Sequence, residues 1–156
     1  MKSCVGLSLL FACVPVALAA GDTHPFSVLD MLAMDRISDP RVSPDGKTVA
    51  FSVRVTDMAS NRGRSDIYLS NVDDGMVRRL KTHDANDTQP RWSTDGASLY
   101  FLSTRSGSSQ VWRLSMAGGE PEQITRLPLD VDALEVSPCG KLLIFGLAVF
   151  PGKTPE

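Results

Sequence analysis

The sequence predicts an all-β fold, a partial β-propeller of four-stranded antiparallel blades, two complete and one incomplete, preceded by a short helix. The first observation is a turn that occurs three times, within residues 39–52, 89–102 and 133–145. The second is that every copy carries an aliphatic residue and then a phenylalanine at the same distances beyond a turn glycine; these phenylalanines are Phe51, Phe101 and Phe145. Repeats of about 40 to 50 residues with several short strands are typical of propeller blades.

Each turn is predicted to join the first two strands of a blade. The first two copies contain Asp45-Gly46 and Asp95-Gly96, and Gly140 holds the same place in the third. Pro fixes φ at the second turn position, Asp and Ser bond nearby backbone, and Gly accepts a positive φ. Positions three and five beyond the Gly then share one face of the next strand. We therefore expect a hairpin with a buried aromatic residue in every copy.

A second shared segment supplies the third and fourth strands. Residues 67–75 align position by position with 111–119, and a glycine turn leads from each of them into a further short stretch. Four antiparallel strands per repeat describe a propeller blade. The propeller is expected over residues 39–156, with blades at about 39–82, 88–125 and, incomplete, 131–156.

The first blade is longer than the second between its second and third strands. Successive turn glycines are 50 and then 44 residues apart, and the six extra residues fall within 56–64, which we predict to be a loop. Arg62 and Arg64 make this segment basic, and arginine suits the bidentate binding of carboxylates. The segment is a candidate contact loop for a partner domain or a substrate carboxylate, and a flexible solvated loop is the alternative interpretation.

Residues 1–19 have the features of a secretory signal. A charged start, an apolar run and the small-residue sequence Ala17-Leu18-Ala19 predict cleavage after Ala19 and export to the periplasm or the medium. The apolar run is shorter than the roughly 20 residues of a membrane span. Lipidation of Cys13 is an alternative, although the bulky Phe11 beside that cleavage position disfavours it.

Residues 20–38 are predicted to form a polar linker and a short amphipathic helix. Apolar residues recur at helical spacing from Phe26 to Ile37, and Ser27 is a suitable N-cap. We expect this helix to pack against the side or rim of the propeller, with Met31 and Met34 filling the core.

The sequence indicates no catalytic, cofactor or metal site. A net charge of −2 without a basic stripe gives no sign of nucleic-acid binding. The Gly-x-Ser-x-Gly turn of α/β-hydrolases does not occur in it. The two histidines, His24 and His83, stand in connecting segments without an acid and a nucleophile in a recognisable order, so both are interpreted as ordinary loop residues.

Two further polar features are interpreted as structural. Asp84, Asn86 and Asp87 bring oxygen atoms together but lack the Gly and the distant Glu of a calcium loop, so a solvated connector is expected. Cys139 stands where the other two turns have Asp, and we expect it to be an unreactive replacement within the repeat.

The hairpin motif resembles the WD40-like repeat shared by Tol-system propellers and the prolyl oligopeptidase family. Residues 24–46, in which a helix precedes Ser-Asp-Pro-Arg-Val-Ser-Pro-Asp-Gly, resemble the start of exported bacterial acylaminoacyl-peptidases and dipeptidyl-peptidases. The resemblance implies a propeller of seven or eight blades followed by an α/β-hydrolase domain that carries Ser, Asp and His. In that arrangement the propeller lets short peptides enter and excludes folded proteins. No residue of this sequence matches the triad.

Three hypotheses about function follow. The first is a non-catalytic N-terminal propeller segment of an exported serine peptidase, which would gate peptide access to a hydrolase domain absent from these 156 residues. The second is a Tol-like periplasmic propeller that binds a protein partner. The third is a small repeat protein that closes its ring by oligomerisation. Because propellers close with about four to eight blades, we expect the front part of a longer protein.

Overall fold

The computed structural model describes residues 24–80 and 83–149, and within these ranges it contains one helix and ten strands. The predicted signal, its cleavage point at Ala19 and the alternative lipidation site at Cys13 lie outside the described residues. The elements are α1 (Val28–Ala33), β1 (Arg36–Val42), β2 (Thr48–Asp57), β3 (Arg62–Asn71), β4 (Val77–Arg79), β5 (Asp87–Trp92), β6 (Ser98–Ser103), β7 (Gln110–Ser115), β8 (Glu122–Gln123), β9 (Val131–Val136) and β10 (Leu143–Leu147).

The strands form three antiparallel sheets that correspond to two complete blades and one incomplete blade. Sequential pairing gives a first blade β1-β2-β3-β4, a second blade β5-β6-β7-β8, and a two-stranded third blade of β9 and β10. The inner strands β1, β5 and β9 are neighbours, since β5 contacts both of the others. The predicted fold class, an all-β partial propeller after a short helix, is therefore confirmed.

The helix is shorter than predicted. Ser27 caps it, accepting a hydrogen bond from the Asp30 amide at 3.3 Å, while the Asp30 carboxylate accepts one from the Ser27 amide at 2.7 Å. The helix ends at Ala33 because the chain then enters β1, where Ile37 pairs with Val53. The predicted extension of the helix to Ile37 is therefore wrong.

Most apolar side chains of this helix are exposed, and Leu32 is half-buried. No residue of α1 is buried, and Met31 and Met34 are 49% and 57% exposed. The prediction that these methionines fill the core is wrong, because a helix of six residues holds fewer than two turns and cannot present a continuous apolar stripe.

The six extra residues of the first blade lengthen a hairpin and do not form a loop. β2 and β3 have ten residues each and pair from Thr48 with Asn71 to Asp57 with Arg62, whereas β6 and β7 have six each. The predicted loop at 56–64 is thus replaced by two strand ends and a turn at residues 58–61. The Asp57 carboxylate stabilises this turn by accepting hydrogen bonds from the Ala59 amide at 2.9 Å and the Ser60 hydroxyl at 2.6 Å.

Every blade buries side chains on the faces that meet another blade. Ala50 of the first blade packs with Leu99 and Phe101 of the second, while Leu102 on the opposite face of the second packs with Leu134 of the third. Residues of alternate parity on one strand therefore serve two interfaces. The middle blade is covered on both faces.

The equivalent phenylalanines differ in burial because the blades differ in their neighbours. Phe101 is 1% exposed, whereas Phe51 is only partly buried and stacks on Tyr68 with ring centroids 6.2 Å apart. Phe145 is 38% exposed. The expectation of a buried aromatic residue in every copy holds for the second blade and is wrong for the other two. A blade buries this position only where another blade covers that face.

Candidate functional site

The repeat turns predicted from the sequence lie side by side on one edge of the sheets. Gly46, Gly96 and Gly140 have φ values of 73°, 70° and 69°, a region that favours glycine. In the first turn the Ser43 hydroxyl donates to Asp45 at 2.6 Å, and the Lys47 amide donates to the same carboxylate at 3.1 Å. These bonds, that of Ser43 above all, lower the pKa of the Asp45 carboxyl.

The second and third turns repeat this arrangement with one chemical difference. Ser93 donates to Asp95 at 2.6 Å, and the pKa of that carboxyl is likewise lowered. In the third turn Ser137 lies 3.4 Å from the sulfur of Cys139, an exposed free thiol whose pKa is lowered chiefly by that serine. The bonding within the turns is internal, which is the arrangement of a structural turn.

The inner strands contain matching bulges. Asp39 and Gln89 have φ values of 51° and 52°, and the pairing register shifts between Ser38 and Arg41 in one blade and between Thr88 and Arg91 in the other. A bulge bends its strand and redirects the side chains beside it. The two bulges thus place Arg41 and Arg91 at equivalent positions of neighbouring blades.

A charge cluster joins the three inner strands at this level. We call Asp39, Arg41, Arg91 and Glu135 the inner-strand cluster. Arg91 contacts Asp39 at 2.5 Å and Glu135 at 2.9 Å, while Arg41 contacts the same two carboxylates at 2.9 and 3.2 Å. The Arg91 side chain is 9% exposed, and those of Arg41 and Glu135 are 41% and 54% exposed. The cluster therefore has a buried centre and an accessible rim.

A cavity of about 440 Å³ opens beside the inner-strand cluster. Its wall includes Arg41, Glu135 and Trp92, and the Trp92 indole donates to the Arg41 carbonyl at 2.9 Å. The wall also includes Ser93, whose hydroxyl donates to Asp95. Two accessible charges of opposite sign beside an aromatic ring suit a surface that lines a passage or binds a polar ligand. This cluster was not predicted from the sequence. The signal that could have predicted it is that Arg41, Arg91 and Glu135 occupy the same position in the three copies.

The predicted contact residues of the first blade share one face of the lengthened hairpin. Arg62 and Arg64 line a cavity of about 490 Å³. The Arg64 guanidinium lies 3.2 Å from Asp66 and 3.7 Å from the exposed Asp84. Arg62 is exposed and has no ion-pair partner within 24–80 and 83–149.

The histidines make local contacts. The His24 ring bonds the Pro25 carbonyl at 3.0 Å and lies 3.6 Å from Asp30, and the His83 ring accepts from the Ala85 amide at 3.0 Å. In the described part of the chain, no hydrogen bond joins either ring to a serine hydroxyl. Residues 24–80 and 83–149 contain no group of three or more His, Cys, Asp or Glu side chains that could hold a metal ion.

The connector between the first two blades was predicted to be solvated, but part of it is buried. Asp87 is buried and pairs with Arg105 at 2.6 Å, where the guanidinium lies over the Trp112 ring at 5.1 Å. Asn86 accepts from the Ser65 amide at 2.9 Å and so ties the connector to the first blade. That expectation is wrong for Asp87 because this residue begins β5, whereas Asp84 and Asn86 are exposed.

Comparison with known proteins supports kinship with peptidase propellers. The chain is 28% identical over 126 residues to "Uncharacterized peptidase YuxL" of Bacillus subtilis, a match that covers 80% of this chain and 19% of that protein. The acylaminoacyl peptidase of Pyrococcus horikoshii superposes with a TM-score of 0.60 at 22% identity, over 74% of this chain and 17% of that one, which shows the fold. The chain thus spans less than a fifth of the length of either protein.

The chain is also similar to TolB-like propellers. The structure of putative TolB from Agrobacterium tumefaciens superposes with a TM-score of 0.58 at 31% identity, over 69% of this chain and 36% of that one. No helix in the described ranges has the length and apolar character needed to cross a membrane. The family model described as TolB beta propeller domain matches residues 32–148, and the chain therefore belongs to the TolB beta propeller domain family.

Proposed function

We propose that this chain forms the first blades of a propeller that precedes the α/β-hydrolase domain of an exported serine peptidase, and that it controls which peptides reach that domain without itself catalysing hydrolysis. The observation that carries the proposal is the match of 80% of the chain to 19% of a protein named as a peptidase. A segment of propeller blades that matches a small part of a long peptidase suits the control of peptide entry better than the catalysis of hydrolysis.

The packing of the blades suits a rigid wall. Phe101 lies between two blades, and Arg91 bonds carboxylates of the blades on either side of its own. Packed interiors resist deformation, so a passage bounded by such blades has a fixed width. A passage of fixed width would admit or exclude peptides according to their width. Selecting peptides by their sequence would need specific pockets.

The reading frame beyond residue 156 provides the first test. We expect further blades and then a Gly-x-Ser-x-Gly turn. The longer protein should hydrolyse short chromogenic peptides and not a folded protein substrate, and a serine-directed inhibitor should block that hydrolysis. The 156-residue chain alone should show none. Blades that end without a hydrolase motif, or inhibitor-sensitive hydrolysis by the short chain, would reject the proposal.

Export is part of the same proposal. The sequence of residues 1–19 favours cleavage after Ala19, so the N-terminus of the protein recovered from the exported fraction should begin at Ala20. N-terminal sequencing measures this directly. A lipid-modified N-terminus at Cys13, or retention of the intact leader in the cytoplasm, would contradict it.

A Tol-like protein-binding module is the second candidate, favoured by the 31% identity to putative TolB. In this function the propeller recruits a protein partner and no hydrolase domain follows. Purification of the native protein from the exported fraction distinguishes the two. A stable complex with another polypeptide, together with the absence of a downstream hydrolase, would favour this candidate over the first.

A further inference from the structure

Among residues 24–80 and 83–149, the lengthened hairpin of the first blade has an outer edge that no strand pairs with beyond residue 68 of β3. β3 pairs with β2 along its full length, but β4 pairs only with residues 68–70 of β3. On that outer side the Ile67 carbonyl accepts from the Leu80 amide at 2.8 Å, and the Ser65 amide donates to Asn86 at 2.9 Å. Because outward backbone groups alternate along an antiparallel strand, Gly63 presents its N–H and C=O at the same edge.

Gly63 leaves this edge open to another backbone. A Cβ at this position would lie 2.4 Å from the guanidinium of Arg54, which covers one face of the glycine. Gly63 itself contributes no side chain to the edge. Glycine within a strand often marks a place where another backbone approaches closely.

The charged side chains beside the edge differ in whether they have a partner within the hairpin. Asp66 is 5% exposed and is held by the guanidinium groups of Arg64 and Arg79. Asp57 bonds the turn residues, and the Ser60 hydroxyl lowers the pKa of its carboxyl. Both carboxylates thus have partners inside the hairpin. Arg62 is a cation without an ion-pair partner among the described residues, at the mouth of the 490 Å³ cavity.

The cavity offers apolar and polar contacts together. Val55 and Tyr68 contribute apolar surface on the face that carries Arg62, and Asn86 contributes a polar wall. The volume lies in the usual range of small-ligand sites, about 300 to 1,000 Å³. We propose that an extended peptide adds as a strand to the β3 edge at Gly63 and that Arg62 binds a carboxylate of this peptide.

The arginines also define which peptides fit. Charged residues on an edge discourage pairing with copies of the same edge. Two copies of this edge would bring their arginines together, and these like charges repel. A peptide that carries a carboxylate is instead attracted, since arginine binds carboxylates through charge-assisted hydrogen bonds. Strand addition then supplies affinity through the backbone, and the carboxylate supplies selectivity.

Binding can be measured on the full chain by the fluorescence anisotropy of a labelled Val-Thr-Val-Thr peptide with a free C-terminus. Arg62→Gln should weaken binding about tenfold, the effect of one charge-assisted hydrogen bond. Arg113→Gln is the control, because Arg113 is an exposed arginine of the second blade, 2.6 Å from Glu122. It should leave the affinity unchanged. Equal affinities of the Arg62→Gln and unchanged chains, or no binding at all, would overturn the proposal.

Two further peptides identify the source of the carboxylate. The amidated form of the same peptide should bind about tenfold more weakly. If an amidated peptide with an internal Glu recovers the affinity, the site binds an acidic side chain; if it does not, the site binds a C-terminus. Recovery of full affinity by the amidated peptide without Glu would exclude a carboxylate.

The strand-addition step has its own test. N-methylation of alternate peptide amides removes the donors of an added strand and should abolish binding, while the carboxylate is kept. Gly63→Pro removes the edge N–H of the protein, whereas Gly63→Ala keeps it. Either new Cβ must displace the guanidinium of Arg54, so a loss of binding confined to the proline variant supports strand addition. Undiminished binding of the N-methylated peptide would exclude strand addition. This inference concerns the chain alone, so the absence of a downstream hydrolase would leave it intact.

Discussion

Arg91 on the inner strand of the second blade contacts Asp39 of the first blade at 2.5 Å and Glu135 of the third at 2.9 Å, so a single side chain joins three blades. Its Nε is buried and has no hydrogen-bond partner among the residues that the structure describes, although both terminal nitrogens are used. Desolvating a guanidinium is costly, and good geometry with two carboxylates offsets that cost.

Removing this side chain should loosen the contact between blades. In Arg91→Ala, Asp39 keeps only its exposed partner Arg41, and we expect a loss of about 3 kcal/mol in the free energy of unfolding. Urea denaturation measures the loss. The control Arg113→Ala breaks an exposed pair and should change the midpoint little, since such pairs contribute little. Equal effects of the two substitutions would contradict a linking role for Arg91.

The repeat made the strands predictable, because turn chemistry acts locally. Asp45-Gly46 and Asp95-Gly96 specify their turns through neighbouring residues, and strand periodicity then fixes the faces. The lengthened hairpin was not predictable in the same way. Its polar, glycine-containing sequence suggests a loop, and the ladder between β2 and β3 overrides that tendency.

Burial and charge pairing depended on neighbours that the sequence does not specify. Phe51 and Phe101 hold the same position in their repeats, yet only the second is fully buried, because only its face is covered by another blade. The inner-strand cluster joins residues 94 positions apart, such as Arg41 and Glu135. Arg62 and Arg64 were found from the repeat spacing and the basic composition of the inserted segment, but the edge beside them required the strand pairing.

Gln110 should be essential for the connection between the second and third blades. Its side chain is 1% exposed; its amide nitrogen donates to the carbonyls of Leu127 and Leu129 at 3.1 Å each, and its oxygen accepts from the Leu127 amide at 3.0 Å. Gln110→Leu leaves these partly buried backbone groups unpaired, so we expect a loss of about 2 kcal/mol in the free energy of unfolding.

Hydrogen exchange locates this effect. The Leu127 amide should lose protection in Gln110→Leu, while amides of the first blade keep theirs. Gln123→Leu is a suitable control because that side chain is less buried and makes two described hydrogen bonds, to Ser106 and to the Thr125 carbonyl. A uniform loss of protection in both variants would indicate general destabilisation.

The Asp turns predict a stability that falls in acid. Ser43 and Ser93 lower the pKa of the Asp45 and Asp95 carboxyls below their ordinary value of 3.8. A proton therefore binds the unfolded chain more tightly than the folded one at these sites. Their contribution is complete above the unfolded pKa and is lost as the pH falls through the lower folded pKa.

The double variant Asp45→Asn, Asp95→Asn tests this dependence. Asn keeps an oxygen for the turn but does not titrate, so the stability of the variant should fall less steeply between about pH 5 and pH 2.5 than that of the unchanged chain. Urea unfolding at a series of pH values measures the two slopes. Parallel curves would show that these carboxyls do not contribute to the acid dependence.

The stacking of the repeat turns predicts that two glycines of nearly equal φ differ in how much an alanine substitution lowers the free energy of unfolding. A Cβ at Gly140 would lie 2.4 Å from the Thr94 hydroxyl of the preceding blade, whereas nothing lies within 4 Å of a Cβ at Gly46. Gly46→Ala should cost about 1 to 2 kcal/mol of unfolding free energy, the strain of a left-handed residue. Gly140→Ala should cost more, because the stiff, β-branched Thr94 must also move.

Adding Thr94→Ala to Gly140→Ala should relieve the clash and return the cost to that of Gly46→Ala, since the remaining Thr94 Cβ would be 3.4 Å from the new methyl group. Thermal or urea unfolding of the single and double variants gives the coupling energy. Strict additivity would mean that the turns do not touch across the blade boundary. A favourable coupling would instead show that the second and third turns are in contact across the boundary between their blades.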